Sequence, residues 1–249
     1  MNNLLNSKET YSIFEIDNPG TLNSLDLNVL NKLSKFLKNA KKKRNKYIVL
    51  TGKGKIFSSG VNLNKFSYPD WKNNPINLIC REIEELEIPS LCIINGDVFG
   101  AAFELALSCD FRIAKNSFKA RVPPAKIGIN YEPDGIKRMV NILGYRIVKR
   151  LLILGETFDA KDLYEIGFLD FLEEDDISLK NRISTLHQYF LENAPLAISG
   201  MKKTLLELSD NNFEKEIAKK RVEKCFLSND FEEGLNAFKE KRKPVFKGN

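Results

Sequence analysis

The sequence predicts an α/β core over residues 1–193 followed by an all-helical region over residues 194–249. Two observations support this fold class. Short apolar runs rich in β-branched residues alternate with segments of helical spacing, and this strand signal stops near residue 193. In addition, a chain of 249 residues with 43% hydrophobic content can bury a sizeable core.

The individual elements follow in chain order from this alternation. The apolar runs predict strands over residues 11–16, 47–50, 90–94, 111–114 and 169–172. Leucines at helical spacing from Leu27 to Leu37 predict a helix that ends in the basic run 41–44, where the helix dipole favours cations. The spacing also predicts helices over residues 77–86, 101–107, 136–143, 147–154, 195–208, 213–227 and 231–241, with a helix cap within 157–162.

Composition argues against several function classes. The chain has no apolar run of about eighteen residues, so we expect no membrane-spanning helix. Residues 1–8 lack the apolar centre of a signal peptide, so we expect a cytoplasmic protein. Four cysteines, at positions 80, 92, 109 and 225, show neither paired nor metal-binding spacing, which predicts free thiols. The one histidine, His187, lies in a helical stretch and argues against both a Ser-His-Asp triad and a metal site.

Two loops of small residues are the main functional signal. Residues 57–63 and residues 95–105 each follow a predicted strand, and each leads toward a helix. The first N–H groups of a helix have no partner within that helix, and small residues let a substrate approach the backbone closely. Two such donors directed at one point form an oxyanion hole. The pair therefore predicts stabilisation of a developing negative charge on oxygen.

These loops occur within a series of motifs. The motifs are Leu22-Asn23-Ser24-Leu25, residues 49–60, residues 94–114, and residues 233–244 with the sequence Glu-Gly-Leu-Asn-Ala-Phe followed by Glu-Lys-Arg-Lys-Pro. Over nearly its whole length the chain resembles the enoyl-CoA hydratase/isomerase (crotonase) superfamily. The resemblance implies a spiral of ββα units, a helical C-terminal region that assembles trimers or hexamers, and an acyl-CoA substrate.

The resemblance also implies roles for individual residues. The backbone N–H groups of Val61 and Ala101 correspond to the two oxyanion donors. The coenzyme A moiety is expected to contact Ser59, Val61, Asn62, Leu63, Asn64 and Ala101, together with Phe238 and Lys241 from a neighbouring subunit. Helix packing is the alternative role for Phe238. The acyl chain is expected to contact residues such as Phe66, Trp71 and Ile79.

The acidic residues separate the possible reactions. Hydratases of this superfamily hold one water between two glutamates, of which the first corresponds to Glu104. Pro124 occupies the place of the second, and its side chain can neither donate nor accept a proton. An acid instead follows Gly128 by four residues, at Glu132, where several Δ3,Δ2-enoyl-CoA isomerases resemble this chain.

We therefore expect an enoyl-CoA double-bond isomerase in which Glu132 and Glu104 are the catalytic acids, with no separate cofactor and no metal. Enoyl-CoA hydratase, a relative acting on carrier-protein thioesters, and a non-catalytic RNA-associated scaffold are the alternatives. Structural roles also stay open for the two acids. Glu104 could pair with Arg112 or Lys126, and Glu132 could be a loop acid before a helix capped by Asp134.

The net charge of +6 has two explanations. The basic run 41–44 is either a solvated helix end or part of a surface that attracts the phosphates of coenzyme A. Aromatic residues do not alternate with this run as they do in a platform for stacking bases. We therefore expect neither a nucleic-acid partner nor a membrane partner.

Overall fold

Two β-sheets and a series of helices form the computed structural model, which describes residues 10–43, 45–65, 67, 69 and 72–249. The first sheet has five strands: β1 (Tyr11–Ile16), β2 (Tyr47–Gly52), β4 (Ser90–Ile94), β6 (Phe111–Lys115) and β9 (Phe171–Glu173). The second has four: β3 (Ile56–Ser58), β5 (Asp97–Phe99), β7 (Lys119–Arg121) and β8 (Thr157–Asp159). All neighbours pair in parallel except β7 and β8.

The helices connect these strands and then form the C-terminal region. Those of the core are α1 (Leu27–Lys42), α2 (Pro75–Glu84), α3 (Ala101–Leu107), α4 (Pro133–Lys149), α5 (Ala160–Glu165) and α6 (Asp176–Glu192). Those of the C-terminal region are α7 (Pro195–Ser209), α8 (Lys215–Phe226) and α9 (Asn229–Glu240). Among the described residues, no helix is long and apolar enough to cross a membrane.

A ββα unit repeats three times along the core. β2, β4 and β6 are each followed by a short strand of the second sheet and then by a helix, α2, α3 or α4. In each unit a loop follows the short strand. Because β3, β5 and β7 are parallel, the loops that follow them lie at one edge of the second sheet. The spiral expected from the family resemblance is therefore present.

The five-stranded sheet is buried on both faces, as its nearly continuous apolar strands require. In β2, Ile48 and Leu50 face the main core, whereas Tyr47 and Val49 face helix α6. The second face also contains His187, whose Nδ1 is 2.7 Å from the Tyr47 hydroxyl. His187 is thus a packing residue beside the sheet.

Most predicted elements agree with the structure, and the differences have identifiable causes. The prediction omitted the strands of the second sheet because each has only three residues. The last strand of the first sheet begins at Phe171 rather than at residue 169, because the Leu169 N–H donates to the Leu163 carbonyl oxygen of α5 instead of joining the sheet. The predicted interruption after residue 143 is present as a kink at Gly144, which has φ 74°.

Helix ends and cysteines also follow the sequence. Lys41 and Lys42 form the last turn of α1, whereas Arg44 lies outside the described residues. Asp159 caps α5 through a hydrogen bond from the Asp162 backbone, within the predicted capping segment. The four cysteines are free thiols.

Candidate active site

The two small-residue loops meet, and a cavity opens beside their contact. Gly60 has φ +82°, and a Cβ on it would lie 2.5 Å from the Phe99 carbonyl oxygen and 3.2 Å from the Ala101 nitrogen. Glycine alone permits both this backbone conformation and this approach. The cavity has a volume of about 310 Å³, and most of its lining is apolar.

Both predicted oxyanion donors line this cavity. Val61 follows Gly60 at an isolated parallel bridge to Leu25, and Ala101 is the first residue of α3. Within the part of the chain that the structure describes, neither N–H donates a hydrogen bond. These groups are therefore free to bind a substrate carbonyl oxygen.

Glu104 lies in the cavity wall on α3 and is only 3% exposed. Arg138 Nη1 donates to Glu104 Oε1 at 2.6 Å, and the Tyr131 hydroxyl donates to Oε2 at 2.8 Å. Burial raises the pKa of Glu104 above its ordinary value, while Arg138 and Tyr131 act in the opposite direction. Both carboxylate oxygens are consequently held by donors from the same segment of chain.

The network extends one step further from Glu104. Arg138 also donates to both oxygens of Glu84, at 2.5 Å and 3.0 Å, so one guanidinium joins two carboxylates. Burial, followed by the Glu104 carboxylate, raises the pKa of Tyr131 well above its ordinary value. The phenol therefore stays protonated and acts as a donor. A Cβ on Gly135 would lie 2.8 Å from Glu104 Oε2, so glycine is needed on this turn of α4.

This network corrects the partner expected for Glu104. The sequence offered Arg112 or Lys126, but the residue that binds Glu104 is Arg138. Arg112 instead pairs with Asp170 at 2.8 Å and donates to the Phe168 and Cys109 carbonyl oxygens.

Glu132 also lines the cavity, but its surroundings differ from those of Glu104. Its carboxylate forms no hydrogen bond or ion pair with the residues that the structure describes. Glu132 occupies the position before α4, so Asp134 belongs to the first helical turn and is not the cap that the sequence suggested. Asp134 accepts a hydrogen bond from Asn77 at 2.8 Å.

Pro124 lies in the same cavity wall, at the start of a short 3₁₀ turn, and is buried. The position that the family resemblance assigns to the second hydratase acid therefore lines the cavity and contains no group that can titrate. Glu132 lines the same cavity as Pro124.

The predicted coenzyme A residues fall into two groups. Ser59 and Leu63 line the cavity, and the Ser59 hydroxyl donates to the Thr21 carbonyl oxygen at 3.0 Å. Asn62 and Asn64 flank it in the following turn. Ile79 is buried in the main core, while Phe66 and Trp71 lie outside the described residues.

Phe238 and Lys241 lie at the C-terminal end of α9, and neither lines the cavity of its own chain. Phe238 is 84% exposed and Lys241 has φ 55°, so the helix ends in a left-handed residue. Their role toward a neighbouring subunit stays a prediction.

The polar residues of the cavity or of the Glu104 network that the sequence reasoning missed include Tyr131, Arg138, Arg121 and Glu84. Tyr131 directly precedes Glu132 in the chain, so the sequence alone indicates that Tyr131 lies near the candidate site. Arg138 reaches Glu104 across 34 positions of the chain, and no local pattern indicates such a contact. Arg121 is part of a three-residue strand that was itself not predicted.

Comparison with known proteins supports the fold and shows the family. A sequence profile of the family described as Enoyl-CoA hydratase/isomerase matches residues 7–249. Methylmalonyl-CoA decarboxylase of Escherichia coli is 28% identical over 95% of this chain and 94% of its own. Carnitinyl-CoA dehydratase of Citrobacter koseri is 32% identical over 80% of each chain. The crystal structure of enoyl-CoA hydratase from Bacillus anthracis superposes with a TM-score of 0.86, at 25% identity over 95% of both chains.

Proposed function

Because the chain belongs to the enoyl-CoA hydratase/isomerase family, we propose that it moves a C=C bond of an enoyl-CoA from Δ3 to Δ2. The names of its relatives cover a decarboxylase and a dehydratase as well as a hydratase, so relationship alone does not select the reaction. The choice rests on the acids in the cavity.

In the proposed reaction the substrate thioester carbonyl accepts hydrogen bonds from the Val61 and Ala101 N–H groups. Glu132 removes a proton from C2, and the electron pair moves into a dienolate whose charge lies on the carbonyl oxygen. The proton returns from Glu132 to C4, and the double bond then joins C2 and C3. No water, metal or separate cofactor takes part, and the carboxylate is regenerated.

One observation supports this assignment most directly: the two glutamates of the cavity differ in what holds them. Glu104 is bound on both oxygens by Arg138 and Tyr131, which restricts its movement and its access to a proton. Glu132 has no such partner among the described residues and faces the same cavity. Because its oxygens accept no hydrogen bond from the described residues, the Glu132 carboxylate can accept a proton at C2 and return it at C4.

The test is a substrate-resolved assay of the purified protein. A 3-enoyl-CoA, crotonyl-CoA and methylmalonyl-CoA are supplied separately, and isomerisation, hydration and release of carbon dioxide are measured. We expect the first to dominate. Decarboxylation needs oxyanion stabilisation but no base, so activity on methylmalonyl-CoA that survives Glu132→Gln would contradict the proposal.

Hydration is the second candidate, because Glu104 and Glu132 line the same cavity. Together they could hold one water, with Glu132 acting in place of the second hydratase glutamate, whose position is occupied by Pro124. This alternative requires Glu104 to leave one of its present partners or to act while bound to both.

We also propose that the helical region assembles a homotrimer or hexamer. Phe231, Leu235 and Phe238 lie at helical spacing on α9 and are 38%, 45% and 84% exposed, an apolar stripe that a neighbouring subunit would cover. In this assembly Phe238 and Lys241 would contact the coenzyme A of the next subunit. As part of the same proposal, the thiol of the substrate thioester is coenzyme A rather than a carrier protein. The proposal also includes a cytoplasmic location for the protein.

A further inference from the structure

Arg121 is a charged residue in the cavity that the proposed reaction does not use. It ends strand β7, where it pairs with Phe99 of β5, and its carbonyl oxygen accepts from the Gly100 N–H at 2.9 Å. Its backbone is therefore fixed one residue away from the oxyanion donor Ala101. Its half-buried side chain lines the same cavity as Glu132.

Most of the hydrogen-bonding capacity of this guanidinium is unused. Arg121 Nε donates to the Gly155 carbonyl oxygen at 2.9 Å, which fixes the orientation of the side chain. Neither terminal nitrogen forms a hydrogen bond with a residue in the described ranges. No described carboxylate oxygen lies within 4.0 Å of the guanidinium nitrogens, the limit for an ion pair. By contrast, Arg112, Arg138 and Arg150 each pair with a carboxylate at 2.8 Å or less.

An oriented guanidinium that lines an apolar cavity with both terminal nitrogens unbonded to described residues presents donors to the molecule that occupies the cavity, and this indicates an anionic ligand group. The planar fork of arginine matches a carboxylate through two parallel hydrogen bonds. We propose that Arg121 binds a carboxylate on the acyl group, so that the preferred substrates are coenzyme A esters of dicarboxylic acids.

The order of the second sheet distinguishes this role from binding of a coenzyme A phosphate. The strands run β3-β5-β7, and Ala101 follows the central one. The segment expected to contact coenzyme A, residues 59–64, continues from β3 on one side. Arg121 lies on β7, on the other side. With the thioester carbonyl at Val61 and Ala101, as the proposed function requires, coenzyme A and Arg121 lie on opposite sides of that carbonyl.

The inference is tested by binding of saturated, unreactive esters, measured by calorimetry. Glutaryl-CoA carries a terminal carboxylate, and butyryl-CoA is its uncharged counterpart. We expect the wild-type protein to bind glutaryl-CoA about ten- to one-hundredfold more tightly, the range for a hydrogen-bonded charge pair. Arg121→Gln should abolish this preference, and Arg121→Lys should keep part of it. Binding of free coenzyme A should be unchanged in both variants.

Lys119→Gln is the matched control, because it removes the same charge from the same strand at an exposed position that does not line the cavity. It should keep the wild-type preference. A wild-type protein that binds both esters equally would overturn the inference without requiring any variant. Equal weakening of both esters and of free coenzyme A in Arg121→Gln would also overturn it and would identify a phosphate contact instead.

The binding assay does not depend on which reaction follows. An enzyme that hydrates or decarboxylates would show the same preference for glutaryl-CoA, so failure of the isomerase proposal and failure of this inference are separate results. Circular dichroism of each variant verifies that the fold is intact.

Discussion

Glu132→Gln separates the proposed base from the buried glutamate. The Glu132 carboxylate has no hydrogen bond or ion pair with the described residues, and it precedes α4 without capping it. Replacing it should therefore change the free energy of unfolding by no more than about 0.5 kcal/mol, as for substitutions that remove no contact. The variant should fold and bind coenzyme A as the wild-type protein does.

The kinetic effect should be far larger. A positioned general base contributes about 10²- to 10⁴-fold to rate, and each tenfold corresponds to about 1.4 kcal/mol of activation free energy. Because Glu132 is the one acid proposed to move the proton between C2 and C4, we expect kcat for a 3-enoyl-CoA to fall over that range. The assay follows formation of the conjugated 2-enoyl thioester by its ultraviolet absorbance.

Glu104→Gln is the comparison that makes the result decisive. It removes one charge from a buried pair with Arg138, and breaking such a pair costs about 3–5 kcal/mol when nothing else compensates the remaining charge. Arg138 keeps Glu84, so the cost should be smaller. We expect a smaller loss of kcat than in Glu132→Gln. Near-wild-type kcat in Glu132→Gln together with a severe loss in Glu104→Gln would refute the assignment of roles.

Three further outcomes are expected. Hydration of crotonyl-CoA should be slow because Pro124 cannot titrate, and turnover of about 10 s⁻¹ or more would show that Glu104 and Glu132 hold a water together. Burial raises the pKa of Glu104 in the folded protein, so its stabilising contribution is complete below the unfolded pKa and is lost as the pH rises through the folded pKa. Denaturant titrations should therefore show the wild-type protein losing stability relative to Glu104→Gln as the pH rises above about 4.3, the ordinary pKa of glutamate, and a constant difference would contradict the raised pKa. Deleting residues 231–249 should disrupt the oligomer and weaken coenzyme A binding together, with Phe238→Ser as the milder variant; a truncated trimer, or a monomer with full affinity, would exclude the proposed contact between subunits.

Local patterns predicted the larger elements of the fold. β1, β4 and α3 have the bounds that their apolar runs and helical spacing indicate, because burial on one or both faces imposes a visible period on the sequence. The second sheet gave no such signal. Strands of three residues contain too few positions for a period, and their pairing depends on the order in which the spiral brings them together.

The candidate site was predictable where neighbouring residues form it. Val61, Ala101, Glu104 and Glu132 line one cavity because each lies in a loop or at a helix start recognised from its own segment. The contacts of Glu104 were not predictable in this way. Arg138 reaches it from α4, and Glu84 on α2 binds Arg138 rather than Glu104. The helical spacing indicates a start of α4 at residue 136, whereas the helix begins at Pro133.

The start of α4 lies beside both acids of the cavity, Glu104 and Glu132. The helix begins at Pro133 because its fixed φ suits a first helical turn, and this places Tyr131 and Glu132 directly before the helix. Tyr131 donates a hydrogen bond to Glu104, while Glu132 lines the same cavity as Pro124, which has no titratable group. Arg138, from the same helix, neutralises Glu104. The start of this helix therefore contacts Glu104 through Tyr131 and Arg138, and it directly follows Glu132, the residue proposed as the base. For this reason a change at the start of α4 should alter the reaction, whereas a change in the oxyanion loops should lower the rate of every reaction that proceeds through an enolate.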